Sequence, residues 1–519
     1  MKTILIILFF GFYTQLVAQD SIWPVIFQKN KVYDIIESYD HGFIIVGGDL
    51  VAWDQGYGMI KKTDINGVIL WQVNIDYLPP YNGTVINAIS ATNDGGYIVS
   101  GFTRKFGFGR PFIIKFNKCF EQEWSKIFEN NDYQINSACE IYQLESGNYL
   151  LRIGGGSTEY KSIWVYKLSP KGDIIWKKFY ADEWEPDPWS NELASDFVPD
   201  NNGNFIITGE YYMAQPGYDT SDRWLRPMFI KIDTAGNELW HLVYGQSDFY
   251  IGITMGTDVS TDGTIYSTGW EDGLNTPGRP PVVYRLNSEG DTLIYGHLPY
   301  ESDGVVIGRA SDVSVMNDTA LFIVAGWGDV YDSSFYYAYQ ADTSCNVVKR
   351  TLLNNHEYYR GRSLVTYDNK YVVSSYLVND ANTDLNIHFW KLNSNLEFDT
   401  LYTQPTNYDS LCPYPIVSDT IILDTTTVEI VELADDFKTF SVFPNPAKNK
   451  VRLEINIVKM KVRELVVLNL QGQQVYNATI PPGRANHNID VSSWEDGLYV
   501  FRLSENNTLL QTEKVLVVK

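Results

Sequence analysis

Asn204-Phe-Ile-Ile-Thr-Gly209, then Lys231, Asp233-Thr-Ala-Gly236 and Trp240, is the stretch that decides the fold, because every part of it recurs. The first element returns as Gly42-Phe-Ile-Ile-Val-Gly47, Gly96-Tyr-Ile-Val-Ser-Gly101, Asn148-Tyr-Leu-Leu-Arg-Ile-Gly154, Thr264-Ile-Tyr-Ser-Thr-Gly269, Leu321-Phe-Ile-Val-Ala-Gly326 and Lys370-Tyr-Val-Val-Ser-Ser375. That makes seven copies, whose ends lie 49 to 60 residues apart. A second strand follows each copy and carries a long polar residue, at Lys62, Lys115, Lys167, Lys231, Arg285, Gln340 and Lys391. Nine residues later another strand opens, at Trp71, Trp124, Trp176, Trp240, Ile294, Lys349 and Thr400. Gly67, Gly172, Gly236 and Gly290 lie between the two in four copies, which is tight-turn chemistry requiring positive φ. A further extended stretch, such as Ile86-Asn-Ala-Ile-Ser90, precedes each copy, so a unit holds four short strands.

Four-stranded units of about 50 residues, repeated without helical periodicity, predict a β-propeller, since one such unit cannot bury both faces alone. Seven copies predict seven blades within residues 19–404. Trp23-Pro-Val-Ile-Phe27 matches Trp124-Ser-Lys-Ile-Phe128 and is expected to close the ring beside His388 to Lys391. Leu401-Tyr-Thr403 competes for that place, which leaves the strand order of the last blade open. The repeat stops at Gln404, and 405–439 reads as a linker rich in Asp and Thr. From 440 to 519, Val451, Leu453, Ile455 and Ile457 alternate, as do Tyr499, Phe501 and Leu503, which predicts a small antiparallel sandwich. The fold class is therefore all-β, a seven-bladed propeller followed by a small sandwich.

Composition narrows the function. With 40 Lys+Arg against 63 Asp+Glu the formal charge is −23, which argues against a nucleic-acid binder held by phosphate contacts. The N-terminus pairs Lys2 with an apolar run from Ile4 to Phe12 and ends in Leu16-Val17-Ala18, a secretory signal peptide over residues 1–18. No other run approaches the roughly 20 apolar residues that span a bilayer, so no transmembrane segment is expected in the mature chain. Cys119, Cys139, Cys345 and Cys412 lack metal-ligand spacing, and four cysteines allow three pairings that sequence cannot separate.

Two resemblances rest on particular residues. Asp233-Thr-Ala-Gly236 followed by Trp240 resembles the tryptophan-docking repeats of pyrroloquinoline-quinone-type propellers, which implies that the Trp side chains pack between blades and carry no cofactor. At the other end stand Phe443-Pro444-Asn445-Pro446, Leu468 to Val475 with Gly472, and Ile489 to Ser492. Gly497-Leu-Tyr499 and Lys514-Val-Leu-Val-Val-Lys519 follow. In that order they resemble the type A C-terminal sorting domain of the type IX secretion system of Bacteroidota. The resemblance implies an immunoglobulin-like sandwich and export by way of the periplasm. It also implies type IX machinery and its sortase-like peptidase as partners, with cleavage in the linker and a product released or held on surface lipopolysaccharide.

Chemistry is less legible. His41, His241, His297, His356, His388 and His487 are scattered, with no zinc or triad spacing. Asp380-Ala-Asn-Thr-Asp384 opens like a calcium loop but lacks its Gly and final Glu, so neither metal nor cofactor is expected. The segment between the second and third strands is 22 residues in the fourth copy against 13 to 16 elsewhere. It holds Tyr211, Tyr212, Tyr218, Asp219, Asp222, Arg223 and Trp224, and the connection before the copy adds Trp184 and Trp189. Trp270 with Asp272, and Trp327 with Asp329, repeat the aromatic-acid pairing in the next two copies. Aromatic faces among carboxylates and Arg suit a sugar or a peptide. The leading expectation is a non-enzymatic binding protein, secreted or on the outer cell surface. The rival is an extracellular polysaccharide hydrolase or lyase, favoured if two acids, or an acid and a His, converge near the central channel with perturbed pKa values.

Overall fold

The computed structural model describes residues 22–519 apart from 29, 49–55, 130–134, 158–159, 181–191, 215–222, 245–251, 272–277, 300–305, 330–333, 356–357, 379–384, 424–428, 433–439, 456–462, 482–485 and 506–507. The expected signal peptide lies outside the described residues. Among the described residues the ordered elements are all β. Seven sheets of four or five strands precede two smaller sheets near the C-terminus.

The quoted repeat is one sheet. In the fourth, Glu192–Pro199, Asn204–Ala214, Arg223–Asp233 and Glu238–Val243 pair antiparallel in chain order. The first strands of the seven sheets are Lys31–Glu37, Tyr81–Ala91, Ile135–Gln143, Glu192–Pro199, Gly252–Val259, Val306–Met316 and Tyr358–Val365. Each packs against the next, and the seventh packs against the first, so the row of sheets returns on itself.

The residues that spell the repeat are the ones this arrangement strains. Lys62, Lys115 and Lys231 are buried in the third strands and reach the turn between the first two, at 2.5 Å to Asp40, 2.8 Å to Asp94 and 2.9 Å to Asp200. A buried ammonium group needs such a partner. Three of the four turn glycines, Gly172, Gly236 and Gly290, lie on the Trp of the preceding sheet. A Cβ on Gly236, at φ +75°, would come within 2.7 Å of Trp176, and one on Gly172 within 2.9 Å of Trp124. Only glycine satisfies both the backbone and the contact.

The seventh sheet takes its outer strand from the other end of the chain. Val25–Gln28 pairs antiparallel with Leu385–Leu392, placing Ile26 opposite His388. Trp23 is buried, its indole N–H donating to the Asp399 carbonyl at 3.1 Å, and Trp23, Phe27 and Phe43 gather on Phe389. Leu401-Tyr-Thr403 forms no strand, and Leu401 and Tyr402 are exposed.

The segment 405–439, expected as a plain linker, is partly built into the sheets. Asp419–Leu423 adds parallel to Ile69–Tyr77 of the first sheet, and Glu429–Glu432 adds parallel to Gln122–Glu129 of the second. Ahead of these strands, Trp71 Nε1 donates to Asp409 at 2.9 Å, the Ile65 N–H donates to the Tyr408 hydroxyl at 3.0 Å, and Cys412 is disulfide-bonded to Cys119. Cys139 and Cys345 are free thiols. Strands of five and four residues, the first of which buries Leu423 alone, leave no period-2 signature, which is why the sequence read them as linker.

Beyond this strap, Phe440–Phe443, Lys450–Ile455 and Asn486–Asp490 form one antiparallel sheet. Arg463–Leu468, Gln474–Ile480, Gly497–Glu505 and Thr508–Val517 form another, and the two enclose a shared core around Leu453, Val467 and Phe501.

The disulfide joins residues 293 apart in sequence. Cys412→Ser should therefore lower unfolding stability by about 2–4 kcal/mol in oxidising buffer, read from urea titration. A midpoint equal to that of the oxidised native protein would show that the strap is held without it.

Candidate functional site

Each first strand carries a bulge at a corresponding place, between Val32 and Asp34, Ile86 and Ala88, Ala138 and Ile141, Ala194 and Asp196, Thr254 and Thr257, Ala310 and Asp312, and Tyr359 and Arg362. Bulges re-aim side chains. Counting four residues back from the turn that ends each strand gives Asp34, Ala88, Glu140, Asp196, Gly256, Asp312 and Arg362, five of them charged.

Three of these acids stitch their sheet to the next. Asp34 accepts the N–H of Ile89 at 3.0 Å, Asp196 that of Thr257 at 2.9 Å, and Asp312 both the N–H and the hydroxyl of Ser363, at 2.6 and 3.0 Å. Asp258, two residues further along its strand, accepts the N–H of Val315 at 2.7 Å.

Arg362 draws the set together. Its Nε donates to the Tyr33 carbonyl of the first sheet at 3.2 Å. Its terminal nitrogens lie 3.5 Å from Glu140, 3.7 Å from Asp196 and 3.9 Å from Asp312. Contacts from the seventh sheet to the third and fourth run through the interior of the circle of first strands. The Arg362 side chain remains 25% exposed there, and Glu140 13%. The second oxygen of Glu140 takes the Nε of Arg152 at 2.6 Å.

The electrostatics divide the carboxyls. Burial pushes Asp312 up to about 7 against the opposing pull of Arg362, with the nearby Asp196 adding to the rise. Burial likewise lifts Asp34, Asp196 and Asp258 to about 6. Glu140 goes the other way: burial would raise it, but Arg152 and then Arg362 outweigh burial and hold it below the usual carboxylate value. Burial opposes the charge on Arg362, yet Asp196, Asp312, Asp34 and Glu140 together more than restore it. A carboxyl raised to about 7 and one held below the usual carboxylate value thus stand at one guanidinium group.

Sequence reasoning missed this set. Its signal was present, since a charged residue in mid-strand between buried apolar positions is costly unless partnered. The expected surface arc fares differently. Tyr211 is buried in the core of the fourth sheet, and Trp327 is buried too, stacked on Tyr337 and donating to the Tyr339 hydroxyl at 3.0 Å. Trp270 is partly exposed, and the neighbouring Glu271 holds His297 at 2.6 Å and the hydroxyl of Tyr295. Tyr212, Arg223, Trp224 and Asp329 belong to strands Asn204–Ala214, Arg223–Asp233 and Ala320–Asp329. Trp184, Trp189, Tyr218, Asp219, Asp222 and Asp272 lie outside the described residues, as does the Asp380 to Asp384 stretch.

In the C-terminal sheets, the Asn445 side chain donates to the Lys514 carbonyl and accepts the Leu516 N–H, at 2.8 and 2.9 Å, fixing the Pro444-Asn445-Pro446 turn to the last strand. Gly472 has φ +77°, and the Tyr499 hydroxyl donates to the Glu495 carbonyl.

Residues 441–519 match the family described as secretion system C-terminal sorting domain. The chain thus carries a type IX sorting domain and is a secreted or cell-surface protein. Among the described residues no helix is long and apolar enough to cross a membrane. No curated protein matches the chain. Solved structures similar to it include an ulvan lyase described as a new family of polysaccharide lyase, bound to GlcA(1-4)Rha3S, at 10% identity and TM-score 0.48 over 71% of this chain and 95% of that one. An α-L-arabinofuranosidase from Fusarium graminearum is similar at 10% identity and TM-score 0.39, over 63% and 99%. A Bacteroides caccae protein of unknown function is similar at 13% identity and TM-score 0.34, over 60% and 93%. At these values the likenesses say nothing of what this chain does.

Two outcomes follow from the site and the match. Asp34, Asp196, Asp258 and Asp312 have folded pKa values above their unfolded ones, so they bind protons on folding. Their contribution to stability is full below about pH 4 and is lost as pH rises through about 6 to 7. The urea midpoint should decline between about pH 5 and 8, and Asp312→Asn should flatten that decline; an unchanged slope would remove Asp312 from the account. Deleting residues 441–519 should leave the remainder in the periplasm by cell fractionation, and its continued appearance outside the cell would contradict the export route.

Proposed function

We propose that the seven sheets are the blades of a β-propeller followed by an immunoglobulin-like sorting domain, and that the exported protein cleaves an extracellular polysaccharide within its central channel. The observation that carries this reading is the opposed titration of Asp312 and Glu140 around Arg362. Glycoside hydrolysis needs one carboxyl that keeps its proton for the leaving oxygen and another that is ionised, to activate water or attack the sugar carbon. Asp312 fits the first role and Glu140 the second. Arg362, a quarter exposed, offers N–H donors to a sugar hydroxyl or carboxylate.

A second reading, binding without catalysis, is favoured by the backbone hydrogen bonds of Asp34, Asp196 and Asp312, which give these acids a structural duty as well. In that reading the aromatic and acidic residues of the fourth copy, Trp184, Trp189 and Trp224 among them, are the proposed ligand contacts. Either way, processing by the sortase-like peptidase at any point after Glu432 would leave the disulfide-tied strap with the propeller.

The test is to incubate the mature protein with neutral and acidic polysaccharides and follow reducing ends and unsaturated uronate. Asp312→Asn and Glu140→Gln should each cut turnover about 100-fold or more with the fold intact by circular dichroism. Retained binding without cleavage by the native protein would leave the second reading, and cleavage that survives both substitutions would move the chemistry elsewhere.

A further inference from the structure

The outer strand of the third sheet, Ile174–Tyr180, differs in chemistry from its counterparts. Trp176-Lys-Lys-Phe-Tyr180 sets two lysines among three aromatic residues, in a chain whose net charge is −23. The strap covers the outer strands of the first and second sheets, and no described strand pairs with the free edge of this one.

A pocket of about 440 Å³ wraps that edge, lined by Trp164, Lys177 and Phe179 on one face of the strand and by Lys178, Gly236 and Glu238 on the other. Trp164 pairs across the strands with Phe179, their ring centroids 5.0 Å apart, and Phe179 is 44% exposed. Tyr166 opposite Lys177 is the next pair but one, so Lys177 shares the face of the two rings. The other face of the strand is fixed to the next sheet. Lys178 Nζ donates to the Gly236 carbonyl at 3.0 Å and to Asn237 at 3.2 Å, and the Tyr180 hydroxyl donates to the same carbonyl at 2.8 Å.

We infer that this pocket is a subsite for an anionic pyranose unit of a polysaccharide, a uronate or a sulfated sugar. The aromatic rings take the apolar face of the sugar, and the Lys177 ammonium faces its carboxylate or sulfate. The pocket volume falls in the range of small-ligand sites, about 300–1,000 Å³. The inference uses no residue of the channel and stands whether or not the channel is catalytic.

The experiment is affinity electrophoresis of the full mature protein in gels containing polygalacturonate, dextran sulfate or unsubstituted dextran. Retardation is expected in at least one anionic gel and not in dextran, and should weaken with salt. Retardation by polygalacturonate alone assigns a carboxylate, by dextran sulfate alone a sulfate, and by both a shared charge recognition. Trp164→Ala and Lys177→Gln should each weaken binding about tenfold, and Lys177→Arg should keep it. Lys177→Gln removes only a side-chain charge, so it reports even if Trp164→Ala fails to fold. No retardation in either anionic gel, equal retardation in dextran, or native-like binding by Lys177→Gln would overturn the subsite.

Discussion

Closure of the circle of sheets is the constraint on which the rest of the structure depends. A four-stranded sheet buries its two faces only between neighbours, so the seventh must find the first. The seam is spanned from both ends of the chain. Val25–Gln28 completes the seventh sheet from the N-terminal side, while the strap from the C-terminal side lies on the first and second sheets and is locked to the second by Cys119–Cys412. Arg362 crosses the same seam to the carbonyl of Tyr33. Pulling the first and seventh sheets apart therefore breaks strand pairing, an aromatic cluster on Phe389 and a charged hydrogen bond together.

Much of this was legible because it is enforced at the backbone. A turn glycine pressed on a Trp of the previous sheet admits no substitute, so Gly172 and Gly236 recur in register with Trp124 and Trp176. A buried lysine requires an acid on the nearby turn, so Lys62 and Lys231 recur with Asp40 and Asp200. The strap escaped notice because edge pairing through backbone groups asks little of side chains, and Leu423 alone of its first strand is fully buried. The interior cluster escaped for the opposite reason. Three copies share Asp there, but Ala88, Glu140, Gly256 and Arg362 hold the same position in the others, so no motif runs through the set. The aromatic arc was drawn from composition, which does not separate Trp327 in a core from a Trp on a loop.

The titration of the interior follows from counting charges. Two guanidinium groups, Arg152 and Arg362, face the four carboxyls Asp34, Glu140, Asp196 and Asp312. Full ionisation would leave two negative charges uncompensated in a site closed by protein on most sides, and neutralisation by protons is the less costly state. Which carboxyls take the protons depends on which lie closest to the arginines. Glu140 has both, one of them at 2.6 Å, and stays ionised.

The same geometry separates structural from chemical duty within the cluster. Asp34 and Asp196 each give both oxygens to backbone N–H groups, one in their own strand and one in the next sheet, and one oxygen of Asp196 also lies 3.7 Å from Arg362. Asp312 makes its stitch to Ser363 with one oxygen and turns the other toward Arg362, and Glu140 directs its oxygens at arginines rather than at a neighbouring sheet. Glu140, Asp196 and Asp312 all place an oxygen toward Arg362, and of these Asp312 and Glu140 are displaced in opposite directions. An acid that only stitched sheets would have an amide on each oxygen, as Asp34 does, and nothing in ring closure requires Asp312 to leave one oxygen for Arg362 instead.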